Sequence, residues 1–195
     1  MDAANLACNS DEDYKLRFNT LEDRHLNIVR ELIPVGSQSG VIGQIKKMLN
    51  QLESTLEGVF LISELSPKTS DKILSFGELF SSFIISEAFK HNKLDAVLKN
   101  SQDLIVTDEN FSAAAVKFDK TNNLIKDFFA ENKHHITVFP GFVSKTEKGE
   151  TSTLGRGGSD YTAAIIAAAS NASILEIWTD VSGMYTANPK FVREA

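Results

Sequence analysis

The sequence predicts an α/β fold with a mainly parallel sheet, and three observations carry that reading. After Asn92, short apolar runs alternate with helical segments, which is the grammar of strand–helix–strand units. Before Asn92 the apolar spacing is helical throughout. No internal repeat and no low-complexity linker separates the two halves. The 195 residues suit one large domain, or part of a bigger one.

Each element has its own warrant. Leu21, Ile28, Val29, Leu32 and Ile33 share one helix face, with charges between them. Pro34 and Gly36 then break the pattern. Val41, Ile45, Met48, Leu52 and Leu56 repeat at helical spacing. A third helix follows Ser66-Pro67, with the proline suited to the first turn, and runs from about Lys68 to His91. Leu94–Leu98 and Ile136–Phe139 read as short buried strands, with a helix from about Thr121 to Glu131 between them. Thr146–Thr151, with Gly149, reads as a hairpin tip. A glycine-rich loop leads into a helix over Tyr161–Ser170, and Ile174–Trp178 reads as a further buried strand. The first strand therefore appears only near residue 94. An α/β domain usually begins close to its sheet, so the pattern suggests the middle of a larger domain.

Composition excludes several classes. Hydrophobic residues make up 42% and charged residues 24%, an ordinary soluble balance. No apolar run reaches the length of a membrane span, and Met1–Ser10 lacks a secretory core. A net charge of −6 without a basic stripe argues against nucleic acid. The single cysteine, Cys8, excludes an internal disulfide framework and a Cys-rich metal site, and fits a reducing cytoplasm.

The most informative stretch is Thr153–Tyr161, where Gly155, Gly157 and Gly158 surround Arg156, followed by Ser159 and Asp160. Glycine lets backbone N–H groups approach a ligand, and a helix N-terminus adds positive potential. Arginine supplies a planar fork for a carboxylate or phosphate. The plainer reading is a glycine turn capping a helix, with Ser159 as N-cap. Asp160 suits the helix dipole but would repel a phosphate unless a cation shares the site. The spacing matches neither a Walker A loop nor a dinucleotide fingerprint.

Glu78 lies on a helix face with Leu74, Ser81 and Ile85, on a helix that is apolar on most sides. A carboxylate there either reaches water at the helix margin or meets a cation, a substrate ammonium or Arg156. Gly77 beside it allows close approach. Thr179 and Asp180 stand at a predicted strand end, where ligands bind in open α/β sheets, and Tyr185 follows. A simple Asp turn with Tyr185 in the core is the plainer alternative. His25, His91, His134 and His135 read as structural or solvated, and no metal-ligand spacing is present.

Taken together, Ser75–Leu79, Pro140-Gly141-Phe142, Thr153–Tyr161, Ile177–Tyr185 and Asn188-Pro189-Lys190 resemble the aspartate kinases of the amino-acid kinase family, in order and in spacing. The resemblance covers nearly the whole chain. It implies a three-layer α/β/α sandwich, incomplete at both ends, with residues 1–195 as part of a kinase domain: 1–92 mainly helical, 93–195 carrying the substrate and nucleotide motifs. It implies transfer of the γ-phosphoryl of ATP, with Mg2+, to the side-chain carboxylate of L-aspartate, the entry step to lysine, threonine, methionine and isoleucine. Glu78 would bind the substrate's amino end and Arg156 its carboxylate. Gly157, Gly158 and Ser159 would add loop contacts, and Phe142 would shape the pocket. Asp160 would position catalytic lysines. Thr179, Asp180, Tyr185 and Lys190 would contact the nucleotide. A homo-oligomer in the cytoplasm is implied as well, and fusion to homoserine dehydrogenase stays open.

The sequence departs from the family pattern in five ways. It lacks the opening Lys-Phe-Gly-Gly strand with the loop after it, a second lysine expected well after Tyr185, and the regulatory ACT domains. Lys190 stands where arginine is usual, and Asn100 where aspartate is usual. The expectation is therefore a middle piece of the kinase domain, with little activity by itself. A different amino-acid kinase, and a non-catalytic binding or assembly chain, are the alternatives.

Overall fold

The computed structural model describes residues 1–178 and 191–192. The first half is helical: α1 (Asp2–Cys8), α2 (Asp13–Leu32), α3 (Val35–Ile62) and α4 (Pro67–His91). α1 was not legible in the spacing, because seven residues are too few to show a period. Asp11 starts α2 by accepting the Asp13 N–H at 2.9 Å. The break before α3 is shorter than the sequence suggests. Only Ile33 and Pro34 leave the helix, and Gly36 sits inside the first turn of α3. Gln38 satisfies the end of α2 by donating to the carbonyls of Arg30 and Ile33. α4 starts as predicted, with Pro67 at its first position and the Ser66 hydroxyl accepting the Thr69 N–H at 3.2 Å.

The second half alternates. β1 (Ala96–Leu98) pairs in parallel with β3 (Ile136–Val138), Ala96 opposite Ile136. β2 (Val106–Thr107) pairs in parallel with β4 (Val143–Thr146), which turns back antiparallel onto β5 (Thr151–Thr153). α5 (Phe118–Glu131) and α6 (Gly158–Ala169) pack against each other. The hairpin tip is as expected, with Gly149 at φ +82°. β2 was missed because two residues carry no alternation. α5 and α6 each begin three residues earlier than the apolar period indicated, because polar and glycine residues fill their first turns.

One strand is corrected. Ile174–Trp178 takes no strand conformation and is exposed, Trp178 at 89%. Among the described residues no strand lies beside it. Without a neighbour, its backbone groups and apolar side chains have nothing to pair with or pack on.

Two apolar clusters result. The larger joins α1–α4 around Phe80, Ile45, Leu49 and Leu56. The smaller joins Leu104, Ile105 and Ile125 to Leu154, Ile165 and Ala169. α4 touches both halves, packing on α3 on one side and on β1 and β5 on the other. That bridging places Glu78 beside the loops of the second half. None of the described helices is long and apolar enough to cross a membrane.

Candidate functional site

Two glycine-containing turns interlock beside α4. The first is Pro140-Gly141-Phe142. Ser101, in a 3-10 turn over Ser101–Asp103, donates its hydroxyl to the Pro140 carbonyl and seats this turn from below. Asn100 caps that 3-10 turn, its side-chain oxygen accepting the Gln102 N–H at 3.0 Å. Its amide nitrogen also donates, to Gln102 Oε1 at 3.2 Å, a bond that an aspartate could not make. Phe142 holds φ at +48°, a left-handed conformation uncommon for a phenylalanine. Its N–H donates to Thr162 Oγ1 at 3.0 Å, and its carbonyl accepts the Leu154 N–H at 3.0 Å. The strained residue is thus held from α6 and from the end of β5.

The second turn is Leu154–Ser159. Gly155 and Gly157 take φ of +75° and +74°. A Cβ on Gly155 would stand 2.9 Å from the Ser112 carbonyl, and one on Gly158 would stand 2.6 Å from Phe142 Cβ. A Cβ on Gly141 would stand 2.7 Å from Ser159 Oγ. These contacts are the physical reason for Gly141, Gly155 and Gly158. The cap of α6 is Gly157, not Ser159, which corrects the plainer reading of the loop. Ser159 instead lies in the first turn, packed on Gly141. Among the described residues, the N–H groups of Ser159 and Asp160 have no acceptor. The positive end of α6 therefore opens beside the loop.

The predicted side chains divide between two adjoining clefts. Glu78, half-buried, lines one of about 560 Å³ with Phe139, Gly141, Ser159 and Thr162. Its Oε1 accepts the Gly141 N–H at 3.3 Å. Arg156, exposed, lines another of about 390 Å³ with Leu74, Phe142, Thr153 and Gly155. Glu78 and Arg156 do not pair, and neither Arg156 nor Asp160 has an ionic partner among the described residues. Leu74 precedes Glu78 by four residues, about 6 Å along the helix. An acid and a free guanidinium thus face neighbouring clefts near one turn of α4. On the same helix face Leu74 and Ile85 are partly exposed, and Leu74 lines the Arg156 cleft. Thr179, Asp180, Tyr185 and Lys190 lie outside the described residues. A larger cleft of about 1090 Å³ runs along α3, beside Lys46, Lys47 and Lys72, and carries none of the predicted residues.

Sequence reasoning missed one residue at the site. Asp71 of α4 is fully buried and lines the Arg156 cleft. It stands seven residues before Glu78, on the same helix face. That spacing was readable, but an acid near a helix start has an ordinary explanation in the helix dipole.

Known proteins resemble this chain in sequence and fold. A model described as "Amino acid kinase family" matches residues 11–195. Lysine-sensitive aspartokinase 3 of Escherichia coli is 31% identical over 182 residues, 92% of this chain and 37% of that protein. Bifunctional aspartokinase/homoserine dehydrogenase 1, chloroplastic, of Arabidopsis thaliana is 26% identical over 186 residues, 95% of this chain and 20% of that one. The crystal structure of E. coli aspartokinase III in complex with aspartate and ADP matches with a TM-score of 0.83 and 27% identity, over 98% of this chain and 43% of that chain. The chain spans less than half the length of each of these relatives. The predicted α/β fold is thereby the fold of this chain, with its parallel strand pairs and flanking helices. With the family model matched from residue 11 to the last residue, this chain belongs to the amino acid kinase family.

Proposed function

We propose that this chain forms the aspartate-binding part of an ATP-dependent aspartate kinase. The observation that carries the reading is the pairing of two clefts beside α4, one headed by Glu78 and one by Arg156. An α-amino acid presents an ammonium and a carboxylate one carbon apart, and opposite protein charges near one helical turn suit that pair. The likeness to aspartokinases, one of them solved with aspartate and ADP, supports aspartate as the substrate.

In this reading Glu78 takes the ammonium and Arg156 forks the α-carboxylate. Gly157, Gly158 and Ser159 supply loop contacts, and Phe142 walls the pocket. A side-chain carboxylate oxygen of aspartate attacks the γ-phosphorus as the bridge to the β-phosphate breaks. The products are 4-phospho-L-aspartate and ADP. Asp160 positions the cationic groups that meet the phosphoryl oxygens. Thr179, Asp180, Tyr185 and Lys190 hold the nucleotide, and magnesium arrives with it as part of the substrate. Such transfer depends on alignment and charge neutralisation more than on covalent chemistry. A cytoplasmic homo-oligomer belongs to the same reading, supported by the resemblance and the single cysteine.

Calorimetric titration of the 195-residue chain tests it. L-Aspartate is expected to bind, with Arg156→Ala and Glu78→Gln each weakening it at least about tenfold, the loss of a charge-assisted bond. Binding of glutamate or UMP in preference to aspartate would sink the substrate assignment.

A further inference from the structure

We propose that Asp71 is a positioning residue that sets the Arg156 loop at its working distance from Glu78. The proposal rests on the aspartate-binding reading given above. Asp71 is fully buried, and no cation pairs with it among the described residues. A buried carboxylate is costly to keep unless it is fully hydrogen-bonded. All its bonds go to one place. Oδ2 accepts the N–H of Thr153 at 3.0 Å and the N–H of Ser112 at 2.8 Å, and Oδ1 accepts the Thr153 hydroxyl at 2.8 Å.

Those partners frame the arginine loop. Thr153 ends β5, three residues before Arg156. The carbonyl of Ser112 is the wall that Gly155 must approach without a Cβ. Seven residues further along α4, Glu78 accepts the Gly141 N–H of the other turn. That interval is two helical turns, about 10.5 Å of rise. Two carboxylates on one rigid helix thus hold the two turns that carry the site. α4 acts as the ruler between them. The Leu154 N–H bond to the Phe142 carbonyl ties the two turns to each other, and Asp71 adds the tie that fixes the end of β5 to α4.

The geometry separates shape from charge. In Asp71→Asn the amide oxygen can take both N–H groups, and the amide nitrogen can donate to the Thr153 hydroxyl. Asp71→Ala leaves the buried Thr153 N–H and the part-buried Ser112 N–H without this acceptor. Thr153→Val removes only the hydroxyl bond. The test uses the whole 195-residue chain, with aspartate affinity by calorimetry and amide exchange by NMR. Asp71→Ala is expected to weaken aspartate binding at least about tenfold and to speed exchange at Ser112 and Thr153. Asp71→Asn is expected to stay within about threefold of the wild type, and Thr153→Val to lose about two- to fivefold.

Aspartate affinity unchanged in Asp71→Ala, or equally damaged in Asp71→Asn, overturns the proposal. If Asp71→Ala fails to fold, unchanged affinity in Thr153→Val does the same. A wild-type chain that binds no aspartate strikes the substrate assignment instead. Trypsin cleavage after Arg156 then decides the anchor, and Asp71→Ala cut no faster than wild type overturns it.

Discussion

At the residue scale, the glycine–arginine loop works by exclusion. Gly158 has no room for a methyl group against Phe142 and Leu154, whereas Gly157 faces open space. The two alanine substitutions should therefore fail differently. Gly158→Ala forces apart the two turns and is expected to cost aspartate binding more than about tenfold. Gly157→Ala pays only for its left-handed backbone, about 1 kcal/mol. Comparing the melting temperature and the aspartate affinity of both variants checks this, and equal effects would refute it. Gly155, Arg156, Gly158 and Asp160 stood out in the sequence as a candidate ligand loop, because glycine and arginine advertise their chemistry in one dimension. The left-handed Phe142 was not, since nothing in phenylalanine signals a positive φ.

At the element scale, short strands lean on side-chain ties. Asp95 stands just before β1, and His134 and His135 just before β3. His134 Nδ1 lies 2.6 Å from Asp95 Oδ1, and the His135 N–H donates to Oδ2 at 3.1 Å. The hydrogen bond with His134, and then that from His135, holds the Asp95 carboxyl below its usual value. A depressed carboxylate stabilises the fold above its unfolded pKa, near 3.9. That contribution fades as pH falls through the lower folded value. The expected outcome is a β1–β3 corner that loosens only in strong acid, and Asp95→Asn should remove that acid-side dependence. A two-dimensional NMR titration of the Asp95 carboxyl and neighbouring amides measures it. The service of the adjacent histidines to a strand entry was not legible, because it needed β1 and β3 to be neighbours first. The polar interior of the hairpin has the same origin. Thr107, Ser144 and Ser152 hydroxyls bond one another across β2, β4 and β5, at 2.7 and 3.0 Å. In sequence they are three ordinary small polar residues.

At the scale of the whole molecule, α4 couples a helical core to an α/β core. Phe80 is its keystone, fully buried and stacked 4.8 Å from the His25 ring and 5.9 Å from Phe76. Phe80→Ala is expected to cost about 3–5 kcal/mol through lost burial and the cavity left behind. Because Asp71 and Glu78 ride on the same helix, the site should unfold with the core. Helical circular dichroism and Thr153 amide exchange should shift together in denaturant, and a Thr153 midpoint left at its wild-type value would show independent halves. The sequence by itself determined the long helices, the strand–helix alternation, the glycine loop and the acid on α4. Those features rest on period, propensity and local chemistry, all of which act between near neighbours in the chain. It also announced Ile174–Trp178 as a strand, on apolar content alone, and there it misled. A strand exists only where another strand receives its hydrogen bonds. The tertiary structure alone decided that Glu78 and Arg156 face separate adjoining clefts, that Gly141 and Gly158 are interlocked, and that Asp71 binds Thr153. Those contacts join residues up to 82 positions apart. Long-range packing sets them, and a single chain of letters carries no distance between its distant parts.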